Sequence, residues 1–247
     1  MTIFRHRSYL QKQRFLPRLI EALPEPALGL VVVIPGHAEP DLLATLDSLE
    51  ACEAPPCALE VLVVLNAGEH APASILAQNQ ATQAAFQAWQ QQATRRYRYH
   101  LLCPPPLPRK HTGVGLARKI GLDEAVDRLE QAGQPQGVLV CLDADATVAP
   151  TYLQALHRAF RDQPKLEAVS LHFEHPLEGD AFPPEVYVGI LRYELYLRYY
   201  LEGLRFAGFP YAYHAVGSSL AVRSPAYQAV GGMNRRKAGE DFYFLHK

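Results

Sequence analysis

Several absences bound what this 247-residue sequence does. Cysteine is scarce, and its four residues, Cys52, Cys57, Cys103 and Cys141, form no CxxC pair, so no paired-thiol site is written into the chain. Cys103 and Cys141 sit in apolar, strand-like surroundings and are expected as buried free thiols, which fits a reducing compartment. Charge of one sign is lacking. Lys and Arg number 24 against 25 Asp and Glu, a formal net charge of −1, so no global field favours nucleic acid and none is expected as a partner. No apolar run approaches the ~20 residues a membrane span requires, and no signal peptide opens the chain, so the expected location is the cytoplasm. Internal repeats are absent. What remains is a chain 49% hydrophobic and 20% charged, of a length that suits one large α/β domain.

Strands and helices alternate along it. Leu28 to Pro35 and Leu59 to Asn66 are apolar, β-branched runs that read as buried strands, and Tyr97 to Cys103 reads as a third before the stiff PPPLP of Pro104 to Pro108. Asp41 to Ala51 has helical spacing in Leu42, Leu43, Leu46 and Leu49. Ser74 to Arg96 is a Gln/Ala-rich helix with few large apolar groups, expected at the surface. Val114 to Gln131 and Thr151 to Phe160 are further helices. Such alternation predicts a mostly parallel sheet with helices on both faces. After Ala168 the rhythm changes to a strand from Glu167 to Phe173, an aromatic helix from Pro184 to Leu204, and a strand around His214 to Val222.

Ahead of the first strand, residues 1–28 form a separate basic segment with Arg5, Arg7, Lys12, Arg14 and Arg18 among Phe4, Tyr9, Leu10, Phe15, Leu16, Leu19 and Ile20. Two readings stand. A basic amphipathic helix suits peripheral contact with the inner face of an anionic membrane, and a helix packed on its own domain leaves the same basic face in water.

The most informative stretch is LVCLDADATVAP. Gly137 to Leu142 reads as a buried strand, and Asp143 and Asp145 follow it with only Ala144 between them. In extended geometry the two carboxylates point the same way. They repel unless a cation or a set of donors sits between them, and oxygen ligands suit Mg2+ or Mn2+. A solvated turn at a strand end is the plainer reading of the tripeptide alone. Position favours a site, because ligands in open α/β sheets bind beyond the carboxyl ends of the strands. Two other strand ends, VVVIPGHAE and VLVVLNAGE, place Pro35, His37, Glu39 and Asn66 where a nucleotide's base and ribose would be met. In RKHTGVGLARKIGLDEA, Gly113 and Gly115 lead into a helix carrying Arg118 and Lys119. The glycines permit close approach to a ligand, and a helix start favours an anion. The segment is neither a Walker loop nor a dinucleotide fingerprint.

In this order the pieces resemble a family-2 glycosyltransferase of the GT-A fold. The matching residues are VVVIPGHAE, the polar residue ending the second strand, GVGLARKIGLDEA, Asp143–Ala144–Asp145, and VGSSLAVRSPAYQAVGGMNRRKAGEDFYF. The resemblance spans residues 29–247, and it implies a Rossmann-like, mostly parallel sheet with a smaller mixed acceptor-side part. Three departures qualify it. Asn66 stands where relatives often have Asp, Lys119 stands where Asn is common, and the chain ends at Lys247, six residues past Asp241, so the domain is expected to be cut short there.

The resemblance implies a metal-dependent, inverting transfer of sugar from a nucleotide-diphospho-sugar, UDP-linked, to the hydroxyl of a glycan, lipid or small-molecule acceptor. Asp145 would hold Mn2+ or Mg2+, with Asp143 on the ribose and a metal-bound water. Pro35, His37, Glu39, Asn66, Gly113 and Arg118 would meet the donor. Asp241 would be the catalytic base, with Glu240 as second choice; taken alone, the pair reads as acidic residues at a helix start. Arg235 to Gly239 would close over the diphosphate on the hinges Gly231, Gly232 and Gly239. His172, His175, His214 and His246 lack metal-motif spacing. Two alternatives remain: a nucleotidyltransferase, which would carry a basic glycine-rich loop where PGHAEPD is acidic, and a non-catalytic sugar-nucleotide-binding domain.

Overall fold

The computed structural model describes residues 9–247. Its framework is β1 (Leu28–Gly36), α1 (Leu42–Glu50), β2 (Ala58–Leu65), α2 (Ala73–Gln92), β3 (Arg98–Leu102), α3 (Val114–Gln131), β4 (Val138–Cys141) and α4 (Tyr152–Asp162). There follow β5 (Ala168–Ser170), α5 (Pro184–Phe206), β6 (Leu220–Arg223), α6 (Ser224–Ala229) and α7 (Glu240–Leu245). The strands form one six-stranded sheet in the order β3-β2-β1-β4-β6-β5. β1 pairs in parallel with β2 and β4, and β2 with β3; β6 runs antiparallel to both β4 and β5.

Alternation along β1 explains the two cores. Val31 and Val33 face α3, packing with Leu62, Val64, Leu116 and Ile120. Leu30, Val32 and Ile34 face the other way, against Leu42, Leu46 and Leu49 of α1, Phe86 and Trp89 of α2, and Leu153 and Leu156 of α4. Both faces of the central strands are covered, which is why they read as continuous apolar runs rather than alternating ones. The surface expectation for α2 holds for most of its length, with Thr82, Phe86 and Trp89 turned inward.

From Arg14 onward the N-terminal segment is not the helix expected. Residues 9–13 are helical, and the chain then runs irregularly to β1 as a strap across α3. Phe4, Arg5 and Arg7 lie outside the described residues. The strap's cations meet carboxylates: Arg14 pairs with Glu124 and with Asp127 at 2.7 Å, and Arg18 reaches Asp127 at 2.9 Å. The backbone amides of Leu19 and Ile20 donate to Glu124, and Arg128 reaches the Ala22 carbonyl at 2.7 Å while pairing with buried Glu60 of β2. At the strap's start, the Tyr9 hydroxyl donates to Asp123 at 2.7 Å, Tyr227 donates to the same oxygen, and Lys119 completes the cluster. Burial first, and then the Asp123 charge, push both phenols above the ordinary range, so both stay protonated donors. Hence α3 is buried nearly all round although it is rich in charge.

Three local expectations fail, and one is the strand expected from Glu167 to Phe173, which is confined to Ala168–Ser170. Cys103 is exposed, because the chain leaves the sheet after Leu102, while Cys141 is buried as expected. The strand expected around His214 to Val222 begins only at Leu220, and residues 214–219 form an irregular approach to it.

Candidate active site

The carboxyl ends of β1, β2 and β4 lie together in the middle of the sheet, and the site is built there. At the end of β1, the Gly36 carbonyl accepts bonds from both the backbone amide and the side-chain amide of Asn66, each 3.0 Å. His37 Nδ1 lies 3.1 Å from the Asn66 carbonyl oxygen, which also accepts from Asn79 Nδ2 at 2.9 Å. Asn79 Oδ1 receives the Ala38 amide at 2.8 Å, holding a residue whose φ is 54°. Asn66 is therefore buried and committed inward, His37 is exposed, and Pro35 is sealed within the strand. Glu39 accepts the Asp41 amide at 3.1 Å. Asn79, a residue that carried no signal within a Gln/Ala-rich helix, adds a bridge between the two strand ends that Asn66 already joins.

At the end of β4 the chain turns at once. The Ala146 amide bonds the Asp143 carbonyl, and Ala144 is buried with its own carbonyl held by Thr45 at 2.8 Å. The extended alternation expected for Asp143 and Asp145 does not apply, because Ala144 and Asp145 are turn residues. The turn still leaves both carboxylates accessible: Asp143 is half-buried and Asp145 exposed.

Arg118, in the first turns of α3, joins the site's carboxylates. Its guanidinium is 2% exposed and bonds Asp143 Oδ1 at 2.7 Å from one nitrogen and Glu240 from the other. Gly217 lies flat against it, since a Cβ there would meet Arg118 Nη1 at 2.4 Å. The sequence aimed this arginine at phosphate; the fold aims it at two carboxylates. Glu240 is 3% exposed, whereas its neighbour Asp241 is only partly buried. Asp241 follows Glu240 at the start of α7, where its carboxylate accepts the Phe242 amide at 2.7 Å. Burial pushes the Cys141 thiol at the end of β4 up to about 11, Arg118 pulls it back, and the charges of Asp143 and Asp241 add to the rise.

Gly113 and Gly115 also serve a purpose other than the expected one. A Cβ on Gly115 would sit 2.3 Å from the Arg236 carbonyl oxygen, and one on Gly113 would sit 2.7 Å from that of Lys237. The backbone that approaches closely is the chain's own 235–239 loop, which lies across the start of α3 and delivers α7. Beside it opens a cleft of about 550 Å³ whose walls include His37, Glu69, Arg109, Thr112 and Lys237. Cationic side chains there suit a polyanionic ligand.

Among the described residues no group of three or more His, Cys, Asp or Glu is arranged to hold a metal. His175 bonds Glu194 at 2.5 Å and His214 packs edge-on to Phe173, as structural histidines do. Asp143 and Asp145 supply hard oxygen donors only, a set that fits Mg2+ or Mn2+ when water and substrate phosphate complete the shell.

No protein-family model matches the chain, and no curated protein matches it in sequence. Among solved structures, S. aureus TarS 1–349 aligns with 87% of this chain and 53% of its own at a TM-score of 0.52 and 14% identity; its complex with UDP gives the same figures. The mannosyltransferase PcManGT from Pyrobaculum calidifontis, in complex with GDP-Man and Mn2+, aligns at a TM-score of 0.47 with 18% identity, over 98% of this chain and 56% of its own. The chain thus spans about half the length of the TarS structure, 53%. The likeness to TarS is one of fold: the mostly parallel six-stranded sheet with its antiparallel β6 is a GT-A sheet.

Proposed function

We propose that this chain is an inverting glycosyltransferase of the family-2 type, which moves a sugar from a UDP-linked donor to an acceptor hydroxyl with the help of Mn2+ or Mg2+. The observation that carries the reading is the convergence of Asp143, Arg118 and Glu240, with Asp241 adjoining, at the carboxyl ends of the parallel strands. UDP as the donor nucleotide is supported by its presence in the TarS complex that shares the fold.

Roles follow from accessibility. Asp145 and Asp143 would hold the cation, which would supply positive charge to offset that of the departing diphosphate. Arg109 and Lys237 offer their charges to the diphosphate in the cleft. His37 and Glu39 meet the ribose and base, while Asn66 holds the strand ends in place. Asp241, the accessible carboxylate, takes the proton from the acceptor hydroxyl as that oxygen attacks the anomeric carbon from the face opposite the diphosphate. Glu240 has its carboxylate buried on Arg118 and anchors α7 instead. Residues 29–247 belong to the transferase domain, with the strap before them.

Thermal melting against a panel of nucleotides tests the donor site, since a ligand that binds only the folded state raises the melting temperature. UDP with Mn2+ is expected to stabilise the protein and Asp145→Ala to remove the shift. Equal stabilisation in excess EDTA would remove the metal from the account.

A further inference from the structure

The exposed apolar surface of this protein is concentrated rather than scattered. Apart from Leu23 and Leu76, every exposed large apolar side chain among the described residues lies between Leu177 and Tyr243. Most belong to α5, of which only Glu194 and Leu201 are buried. Val188, Leu191, Leu195, Tyr199 and Phe206 recur at helical spacing along one stripe, with Tyr199 78% and Phe206 96% exposed. Tyr193, Tyr196 and Tyr200 form a second stripe beside it. From the end of α5 a chain of rings leads to the candidate site. Phe209 contacts Tyr211, Tyr211 contacts His246 at 6.1 Å, and His246 contacts Phe242 at 4.2 Å. Phe242 meets Tyr243, over whose ring the Arg236 guanidinium sits at 3.6 Å. Phe242 adjoins Asp241 in sequence, and exposed Arg235 and Arg236 rim this end.

A helix apolar over most of its circumference is stable only when something covers it. We propose that the α5–α7 wall docks on an anionic lipid bilayer and that, resting on the transferase reading above, the acceptor hydroxyl belongs to an amphiphile presented there to Asp241. Three observations choose this occupant. Two stripes and a ring chain are broader than the single seam that one partner helix covers. Exposed tyrosines, apolar in body and polar at the tip, suit a bilayer interface, where one end is wet. The basic rim complements anionic headgroups. No helix of the described residues is long and apolar enough to cross a membrane.

Flotation of the protein with phosphatidylcholine vesicles, with and without phosphatidylglycerol, tests the surface without needing a donor or acceptor. The wild type is expected to float with the anionic vesicles, and Leu195→Glu combined with Tyr199→Glu to stay at the bottom with an unchanged melting temperature. If that pair lowers the melting temperature, Leu195→Gln with Tyr199→Ser replaces it. A wild type that does not float overturns the proposal, as does a folded variant that floats equally well. So does concentration-dependent dimerisation abolished by the same substitutions, which assigns the wall to a second copy. Calorimetry with UDP keeps the two readings apart: flotation without nucleotide binding removes the transferase reading alone, and nucleotide binding without flotation removes the lipid surface alone.

Discussion

Arg118 is the residue on which the site turns. Its neighbours come from the end of β4 and from a helix more than a hundred residues further on, so no local pattern shows them. The sequence identified Arg118, Asp143, Glu240 and Asp241 by type and order, and it put the arginine on the right helix. It misdirected the guanidinium because a cation near a helix start reads the same whether it faces phosphate or a buried carboxylate. The fold changes what substitution should do. Removing one partner of a buried ion pair costs roughly 3–5 kcal/mol, because the other charge is left uncompensated. Arg118→Ala is therefore expected to lose about that much in urea unfolding, and Glu240→Gln in that background to recover part of it. Unchanged stability in Arg118→Ala would mean that the guanidinium does not bind Glu240 in solution.

Among the elements, α3 is the least legible from sequence. Its limits, Val114 to Gln131, are read correctly, but nothing within them shows that the strap and β2 bury its charges. The partners Arg14 and Arg18 lie more than a hundred residues earlier, which leaves the pairing invisible to any periodicity. The helix start is as demanding. Gly115→Ala drives a methyl into the Arg236 carbonyl, and overpacking of this kind costs roughly 1–3 kcal/mol. Faster hydrogen exchange in residues 235–245 is the expected signature, and exchange confined to α3 would contradict it. A pH effect arises where β3 meets α3. Burial, and then the Arg128 charge, lower the pKa of His100 from 6.5 to about 4, with Glu60 opposing. The folded pKa lies below the unfolded one, so the unfolded chain binds the proton first. Stability is full above about pH 6.5 and is lost as pH falls toward 4, by at most roughly 3 kcal/mol. His100→Asn should flatten this slope in denaturant melts across that range; an unchanged slope would assign it to other groups.

At the scale of the whole molecule, strand–helix alternation made the parallel core predictable, and the change of rhythm after Ala168 marked where it ends. The antiparallel turn of β6 between β4 and β5 was not legible, since strand direction depends on what the intervening chain does, and α5 packs so little of its surface that its neighbours leave no trace in its sequence. The proposed donor site and base, gathered at the carboxyl ends of the parallel strands, are separable in their effects. Asp241→Asn tests this most directly, with UDP affinity by calorimetry measured alongside the rate of sugar release from the UDP-sugar that best stabilises the wild type. Asparagine keeps the size and much of the hydrogen bonding of aspartate but cannot take a proton near neutral pH, so UDP affinity should be retained while turnover collapses, a loss confined to the transition state. Full turnover in Asp241→Asn, or loss of UDP binding with turnover, would contradict the assignment.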